Sequence, residues 1–295
     1  MYVLEPTLNV IDGRKYMDQE EDLVSRSIVK LKNEFIKIHK PRSVVYEIIP
    51  LSYSHTLPIE NRILSRLNDF AESNSIYYRS TDIDLLDIPC RSYEGDINDY
   101  WLSSKKYDAN YQPFYPTWIL SAYALSLGAK RLGFEESVDI GSGDGRIAYC
   151  SKLLGMKSIG IEIDSALVDL QHRISNLTNV QYDILNEDAT NIEYSLMGLS
   201  RPMFFISGLP ESGEILATSI LTKASKSAQL KYSAGFNFMG SHIMKEYTRD
   251  KTKWGWGKII EHFHLDVIEC ITLPTVWTND QQIDTAYVYA RSQRR

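Results

Sequence analysis

The chain is poor in residues that staple, span or coordinate. It has three cysteines in 295 residues, Cys90, Cys150 and Cys270, and they lie far apart. They supply neither zinc-ligand spacing nor a disulfide framework, so a reducing compartment is the default expectation. No apolar run approaches the roughly 18 residues of a membrane span, and Met1 to Arg14 lacks the apolar segment of a secretory signal. The expected location is therefore cytoplasmic, with no membrane partner. Basic charge is not in excess: 32 Lys and Arg stand against 38 Asp and Glu, for a net charge of −6. A broad electrostatic footprint for nucleic acid is not expected, although a local basic patch is compatible with these numbers. Histidine is scarce as well. His39 and His55 are isolated, and His262 and His264 have no partner at ligand spacing, so no metal site is expected. There is no internal repeat and no low-complexity tract.

What remains is an ordinary globular composition with many large rings. Apolar residues make up 43% and charged residues 24%, with 19 tyrosines and 5 tryptophans. The length suits one large or two medium domains. Asp18 to His39 places Val24, Ile28, Leu31, Phe35 and Ile38 at intervals of four, three, four and three, the period of an amphipathic helix. Ser43 to Ile49 is a β-rich run ended by Pro50. A second helix is predicted from Pro58 to Glu72, with Ile63, Leu64, Leu67 and Phe70 inward, and a short strand from Ser75 to Arg79. Arg91 to Gln112 is polar and aperiodic and reads as a connector. We place a boundary near residue 105, giving an N-terminal α/β accessory domain (1–105) and a second domain (106–295).

The second domain is organised around Ser137-Val-Asp-Ile-Gly-Ser-Gly-Asp-Gly-Arg-Ile-Ala148, a buried strand, a glycine turn and a helix start. Such a turn brings backbone amides and the positive end of a helix dipole to a ligand with no Cβ in the way. A dinucleotide fingerprint needs a third glycine where this chain has Arg146. No Gly-Lys-Ser/Thr follows, so a phosphate-binding Walker loop is excluded too. The next predicted strand, Ser158 to Asp164, carries Glu162 at its carboxyl end, where a carboxylate can accept hydrogen bonds from vicinal ribose hydroxyls. A helix from Ser165 to Ile174 leads to a third strand, Val180 to Leu185, with Asp188 and Ala189 just beyond. Upstream, Tyr111 to Trp118 is an aromatic cluster pinned by Pro113 and Pro116, with Thr117 as the expected N-cap of a helix from Trp118 to Leu132. The cluster reads either as a packed linker or as a cover over a ligand in the glycine loop.

From Val138 to Ala189 the sequence resembles the class I S-adenosylmethionine-dependent methyltransferases, and the resemblance extends over the region from Tyr111 to the C-terminus. It implies an α/β fold, a Rossmann-like seven-strand methyltransferase sheet, with S-adenosylmethionine as cofactor. It further implies that Asp139, Gly141, Ser142 and Gly143 hold the methionine end. Glu162 would bind the ribose, with Ile163 packed on the adenine, and Asp188 would meet the adenine amino group beside Ala189. Tyr115-Pro116-Thr117 followed by a helix and this loop is similar to small archaeal protein-lysine methyltransferases. That narrower resemblance implies that Tyr115 and Thr117 close over the cofactor.

A fourth strand, Arg201 to Ile206, runs into Ser207-Gly-Leu-Pro-Glu211, where the acceptor meets the methyl group in such folds. The Asn/Asp/Ser-Pro-Pro-aromatic pattern of amide- and base-methylating enzymes is met at Ser207 and loosely at its second proline, and its aromatic residue is missing. Candidates to take a proton from an acceptor are Tyr115, Ser207 and Glu211, none of them identifiable as a base from sequence. A helix from Glu214 to Ala224, a strand from Gln229 to Phe238 and a closing pair, Leu265 to Leu273 and Asp284 to Ala290, complete the domain. Lys253 to Lys258, with Trp254 and Trp256 alternating with Gly255 and Gly257, reads equally as a substrate lid or a core plug. The expected function is methyl transfer to a protein amine (lysine) or a small molecule. The alternatives are an RNA methyltransferase and a non-catalytic S-adenosylmethionine-binding interaction module.

Overall fold

The computed structural model describes residues 13–39, 45–104, 113–206, 208, 210–239, 256–274 and 284–293. The first elements are α1 (Gly13–Ile38), β1 (Val45–Pro50), α2 (Asn61–Ser73), β2 (Tyr77–Leu85), β3 (Ile88–Gly95) and α3 (Asn98–Ser104). The periodic positions of α1 behave as predicted: Val24, Ile28, Leu31 and Phe35 are buried, and only Ile38, at the helix end, stands 63% exposed. The four inward residues of α2 are buried as well, each contributing about 1.5–3 kcal/mol of apolar transfer.

Arg91 to Gln112 is not a connector throughout. Arg91 to Gly95 completes β3, the central strand of an antiparallel sheet ordered β1-β3-β2, and Asn98–Ser104 is helical. The hairpin between β2 and β3 explains the misreading. Leu85 pairs with Ile88, so the loop is Leu86-Asp87, and both residues have positive φ, 56° and 60°. That is the backbone of a type I′ turn, which normally announces itself as Asn-Gly or Asp-Gly. β2 also runs well past the expected Arg79.

The second sheet contains β4 (Glu136–Ile140), β5 (Lys157–Glu162), β6 (Asp183–Asn186), β7 (Pro202–Ile206), β8 (Gly235–Met239), β9 (Leu265–Leu273) and β10 (Thr285–Ser292), ordered β6-β5-β4-β7-β8-β10-β9. β4, β5, β6, β7 and β8 pair in parallel, whereas β10 is antiparallel to both β8 and β9. This is a Rossmann-like seven-strand sheet, the architecture that the resemblance implies. The order reverses between β4 and β7, and a doubly wound sheet opens its ligand crevice at the carboxyl ends of strands at such a switch point.

Helices α4 (Ile119–Arg131), α5 (Arg146–Leu153), α6 (Ser165–Thr178), α7 (Pro210–Lys226) and α8 (Gly257–His262) flank the sheet. α7 starts before the expected Glu214. The expected strand from Gln229 begins only at Gly235, after a turn. The tryptophan segment is also corrected in part. Lys253, Trp254 and Gly255 lie outside the described residues, but Trp256 sits at the N-cap position of α8 and is fully buried. Its Nε1 donates to the Met239 carbonyl at 2.7 Å, and its ring stacks on Phe238 with centroids 5.1 Å apart. Trp256 is a core plug, not part of a lid.

Two apolar layers sandwich the seven-strand sheet. One joins Val138, Ile140, Phe204, Phe236 and Phe238 to α7 and Trp256. The other runs without a break from Phe205, Tyr287 and Tyr289 through α4 and α5 into α1, α2 and the three-strand sheet. α1 packs on both α4 and β9, and the buried Lys32 ammonium meets the Asp284 carboxylate at 2.7 Å just before β10. No helix among the described residues is long and apolar enough to cross a membrane.

Candidate functional site

The glycine loop leaves β4 with three residues in the left-handed region: Gly141 at φ 66°, Gly143 at 58° and Gly145 at 80°. A side chain at any of them is strained, but their surroundings differ. A Cβ on Gly145 would lie 2.1 Å from the Tyr182 hydroxyl, and one on Gly143 would lie 2.5 Å from the Phe114 ring. A Cβ on Gly141 would meet nothing within 4 Å. The loop is thus walled at two glycines and open at the first. Its shape is fixed by backbone bonds, the Gly141 and Ser142 amides donating to the Ile161 carbonyl at 2.9 and 3.0 Å. Gln171 of α6 holds it from behind, its Nε2 donating to Ser142 Oγ at 2.9 Å and to the Gly143 carbonyl at 2.8 Å. Gln171 is a site residue that sequence reasoning missed, since nothing in the pattern of α6 singles it out.

Three carboxylates stand at the ends of β4, β5 and β6. Asp139 is buried, and its Oδ2 has no hydrogen-bond partner among the described residues. Burial, and then the nearby charges of Glu162 and Asp144, raise its pKa from the usual range to about 8. Glu162 is also buried; it accepts from the Gly143 amide at 2.8 Å and from the Asp164 amide at 2.9 Å. Its carboxylate therefore ties the glycine loop to the turn after β5. That strand ends at Glu162, earlier than expected, and Asp164 instead caps α6, accepting from the Ala166 amide at 3.0 Å. Ile163 is half-buried in this turn. Asp188 is half-buried, its Oδ1 accepting from the Thr190 amide and hydroxyl at 2.8 and 2.7 Å. Ala189 beside it is buried.

Upstream of the loop the residues are differently disposed from the expectation. Thr117 does not cap α4. Its Oγ1 lies 3.1 Å from the Tyr287 hydroxyl and 3.3 Å from the Pro274 carbonyl, so the side chain is held by the β9–β10 end. Trp118 occupies the cap position without a side-chain bond, and the Ile119 amide donates instead to Glu47 Oε2 of β1 at 2.9 Å. The ring that lies against the loop is Phe114, while Tyr115 is 47% exposed. Of the remaining candidates, Ser207 lies outside the described residues. Glu211 belongs to the first turn of α7, and its side chain lies outside them too.

Arg146, where a dinucleotide loop would have glycine, is buried and uses all five of its N–H donors. Nε and Nη2 fork onto Asp144 at 2.9 and 2.5 Å. Nη1 donates to Glu47 Oε1 at 2.5 Å and to the Thr117 carbonyl, and Nη2 also reaches the Tyr77 hydroxyl at 3.3 Å. Burial works against its charge, but Asp144, Tyr77 and Glu47 hold the guanidinium pKa well above its ordinary value. Burial pushes the Glu47 carboxyl up, against the opposing pull of Arg146. Asn74 completes the group, its Nδ2 donating to Asp144 Oδ2 at 2.9 Å. No local signal marks Glu47, Asn74 or Tyr77, because their partners in and after the glycine loop lie 69 or more residues away.

The residues fit a bound nucleoside with a cationic end: open space at Gly141, an unpartnered buried carboxylate oxygen at Asp139, and acids at the next two strand ends. A cavity of about 460 Å³ lined by Tyr53, Arg62, Tyr123, Leu127 and Arg131 includes none of these positions. Among the described residues, no three His, Cys, Asp or Glu side chains gather as a metal site.

No protein-family model matches the chain, and no curated protein matches it. Among solved structures it is similar to a tRNA (uracil-54, C5)-methyltransferase of Pyrococcus abyssi in complex with S-adenosyl-L-homocysteine, at 12% identity and a TM-score of 0.44. That match covers 60% of this chain but spans only 39% of the Pyrococcus chain. A magnesium protoporphyrin IX methyltransferase of Synechocystis matches at 12% identity and TM-score 0.42, over 59% of this chain and 81% of that one. An S-adenosylmethionine-dependent methyltransferase of Clostridium acetobutylicum matches at 8% identity and TM-score 0.42, over 59% and 92%. The likeness is one of fold.

Proposed function

We propose that this chain transfers a methyl group from S-adenosylmethionine to a nitrogen nucleophile, an amine of a protein side chain or of a small molecule. The observation that carries the reading is the loop Asp139–Gly145, open only at Gly141 and flanked by carboxylates at three successive strand ends. When bound, the cofactor supplies a methyl group already activated on a sulfonium, so the protein needs little covalent chemistry of its own. Gly141, Ser142 and Gly143 would present backbone to the methionine end, with Asp139 as the nearby counter-charge. Glu162, whose carboxylate stands at the end of β5 beside the loop, would accept from the ribose hydroxyls. Ile163 would pack on the adenine and Asp188 would accept from its amino group beside Ala189.

The chain's part in the reaction is in-line positioning, worth several kcal/mol, and exclusion of water. Phe114 and Tyr115, ahead of the loop, would cover the cofactor, with Thr117 anchoring that cover to β10. An amine acceptor must lose a proton, and Tyr115, Ser207 and Glu211 are the groups we propose for that step. The amine class rests on the Tyr115-Pro116-Thr117 segment. Incubating the chain with tritiated S-adenosylmethionine and fractionated lysate tests the reading. Label in protein or in small amines supports it. Label in RNA alone overturns the acceptor. Cofactor binding without any labelled product indicates a binding module.

A further inference from the structure

Two acids and one base, Glu47, Asp144 and Arg146, are buried with Asn74, and half-buried Tyr77 joins them, at the point where three parts of the chain meet. Asp144 belongs to the glycine loop. Thr117 and Ile119 belong to the segment that leads from the aromatic cover into α4. Glu47, Asn74 and Tyr77 belong to the N-terminal unit. Arg146 donates to all three parts at once, and Glu47 answers by accepting from Arg146, from the Ile119 amide and from the Tyr77 hydroxyl, the last at 3.0 Å. The same junction is reinforced on its outer side, where the Tyr100 ring of α3 packs edge-on against Phe114, the ring that seals Gly143. The guanidinium lies 5.8 Å from the centre of the Phe70 ring in α2.

We infer that the N-terminal unit is a working wall of the cofactor site, and that Glu47 and Arg146 are positioning residues that set the glycine loop and its cover relative to each other. The inference rests on the cofactor reading above. A lysine at position 146 has three donors from one point and no fork, so it cannot serve Asp144, Glu47 and the Thr117 carbonyl together. A buried network with one member removed leaves the others unpaired in low dielectric, and they rearrange. Here the groups that rearrange are the loop that meets the ligand and the segment that covers it. Coupling of this kind is reciprocal: if the N-terminal unit shapes the cofactor site, cofactor must stabilise the N-terminal unit.

The test uses the full chain with S-adenosylhomocysteine as the probe. Wild-type protein is followed by hydrogen exchange with and without the probe. Slower exchange is expected at 45–50 and 74–78 as well as at 137–147; protection confined to the second sheet overturns the inference. Arg146→Lys and Tyr77→Phe are then compared by calorimetry at a temperature where melting curves show each folded. We expect the dissociation constant to rise about tenfold or more in the first and about threefold in the second. A purely structural role predicts lower melting points with dissociation constants within twofold of wild type, and that result overturns the proposal. Tyr77→Phe removes one hydroxyl and keeps the ring, so it reports even if Arg146→Lys does not fold. Absence of binding by the wild-type chain refutes the cofactor reading itself, and is thereby distinguished from wild-type binding that the two substitutions leave unchanged.

Discussion

Asp139 offers the sharpest test of the site's electrostatics. Its carboxyl is pushed to about 8, chiefly by burial and then by Glu162 and Asp144, whereas an unfolded chain holds an aspartate near its ordinary value of about 3.9. Between those values the folded protein keeps a proton that the unfolded chain has lost. Stability therefore falls as pH rises through this window, by up to about 1.4 kcal/mol per pH unit, and levels off above the folded value. Asp139→Asn preserves the shape and removes the titration. Between pH 5 and pH 7 the wild type should lose about 3 kcal/mol relative to the variant. Urea denaturation of both proteins at half-unit pH steps measures this directly. Curves that stay parallel within about 0.5 kcal/mol would refute the reasoning and mean that Asp139 is ionised in the fold. A cationic ligand end close to Asp139 favours its ionised form, so cofactor binding at pH 7 should release most of one proton. Calorimetry in two buffers of different ionisation heat counts that release.

Three further outcomes follow from the geometry. Gly141→Ala and Gly143→Ala should part company: both pay the left-handed penalty of about 1–2 kcal/mol, but only the second also drives a methyl into Phe114. Melting should show the larger loss in Gly143→Ala, while Gly141→Ala should abolish S-adenosylmethionine binding in a protein that stays folded; retained binding removes Gly141 from the site. Glu162→Ala strands the Gly143 and Asp164 amides and should cost about 1–3 kcal/mol in stability, with cofactor affinity down at least tenfold by calorimetry. Unchanged affinity would falsify the ribose assignment. Trp256→Ala should cost about 3–5 kcal/mol as a core cavity and leave the affinity of the folded fraction unaltered, since the ring is spent on Met239 and Phe238.

The parts of the fold that could be read from sequence are those where one local signal carries the element. Val24 to Phe35 repeat at the helical period, and the run from Val138 through Glu162 to Asp188 spaces three strand ends by glycines and acids. Both stand close to where they are expected. What escaped was set by distant partners. β3 was hidden because Leu86-Asp87 turns the chain without glycine, and α8 because Trp256 reads the same in a loop as in a plug. Thr117 has a capping residue's identity, yet its hydroxyl is drawn to Tyr287, and the α4 amide finds Glu47, 72 residues upstream. Arg146 in place of a third glycine was visible and argued against a dinucleotide, but its bond to Glu47 depends on β1, which no spacing within the loop reveals.

The unbroken apolar layer from β10 to α1 has a consequence for how the molecule comes apart. A core shared by both sheets leaves no plane along which one can melt while the other stands, so heating should give a single cooperative transition in calorimetry. In a chain of that kind a ligand held by one loop lends its binding free energy to every element, about 2.7 kcal/mol when present at a hundred times its dissociation constant. A melting-point shift then becomes a reporter for ligands of any part of the chain, the acceptor included.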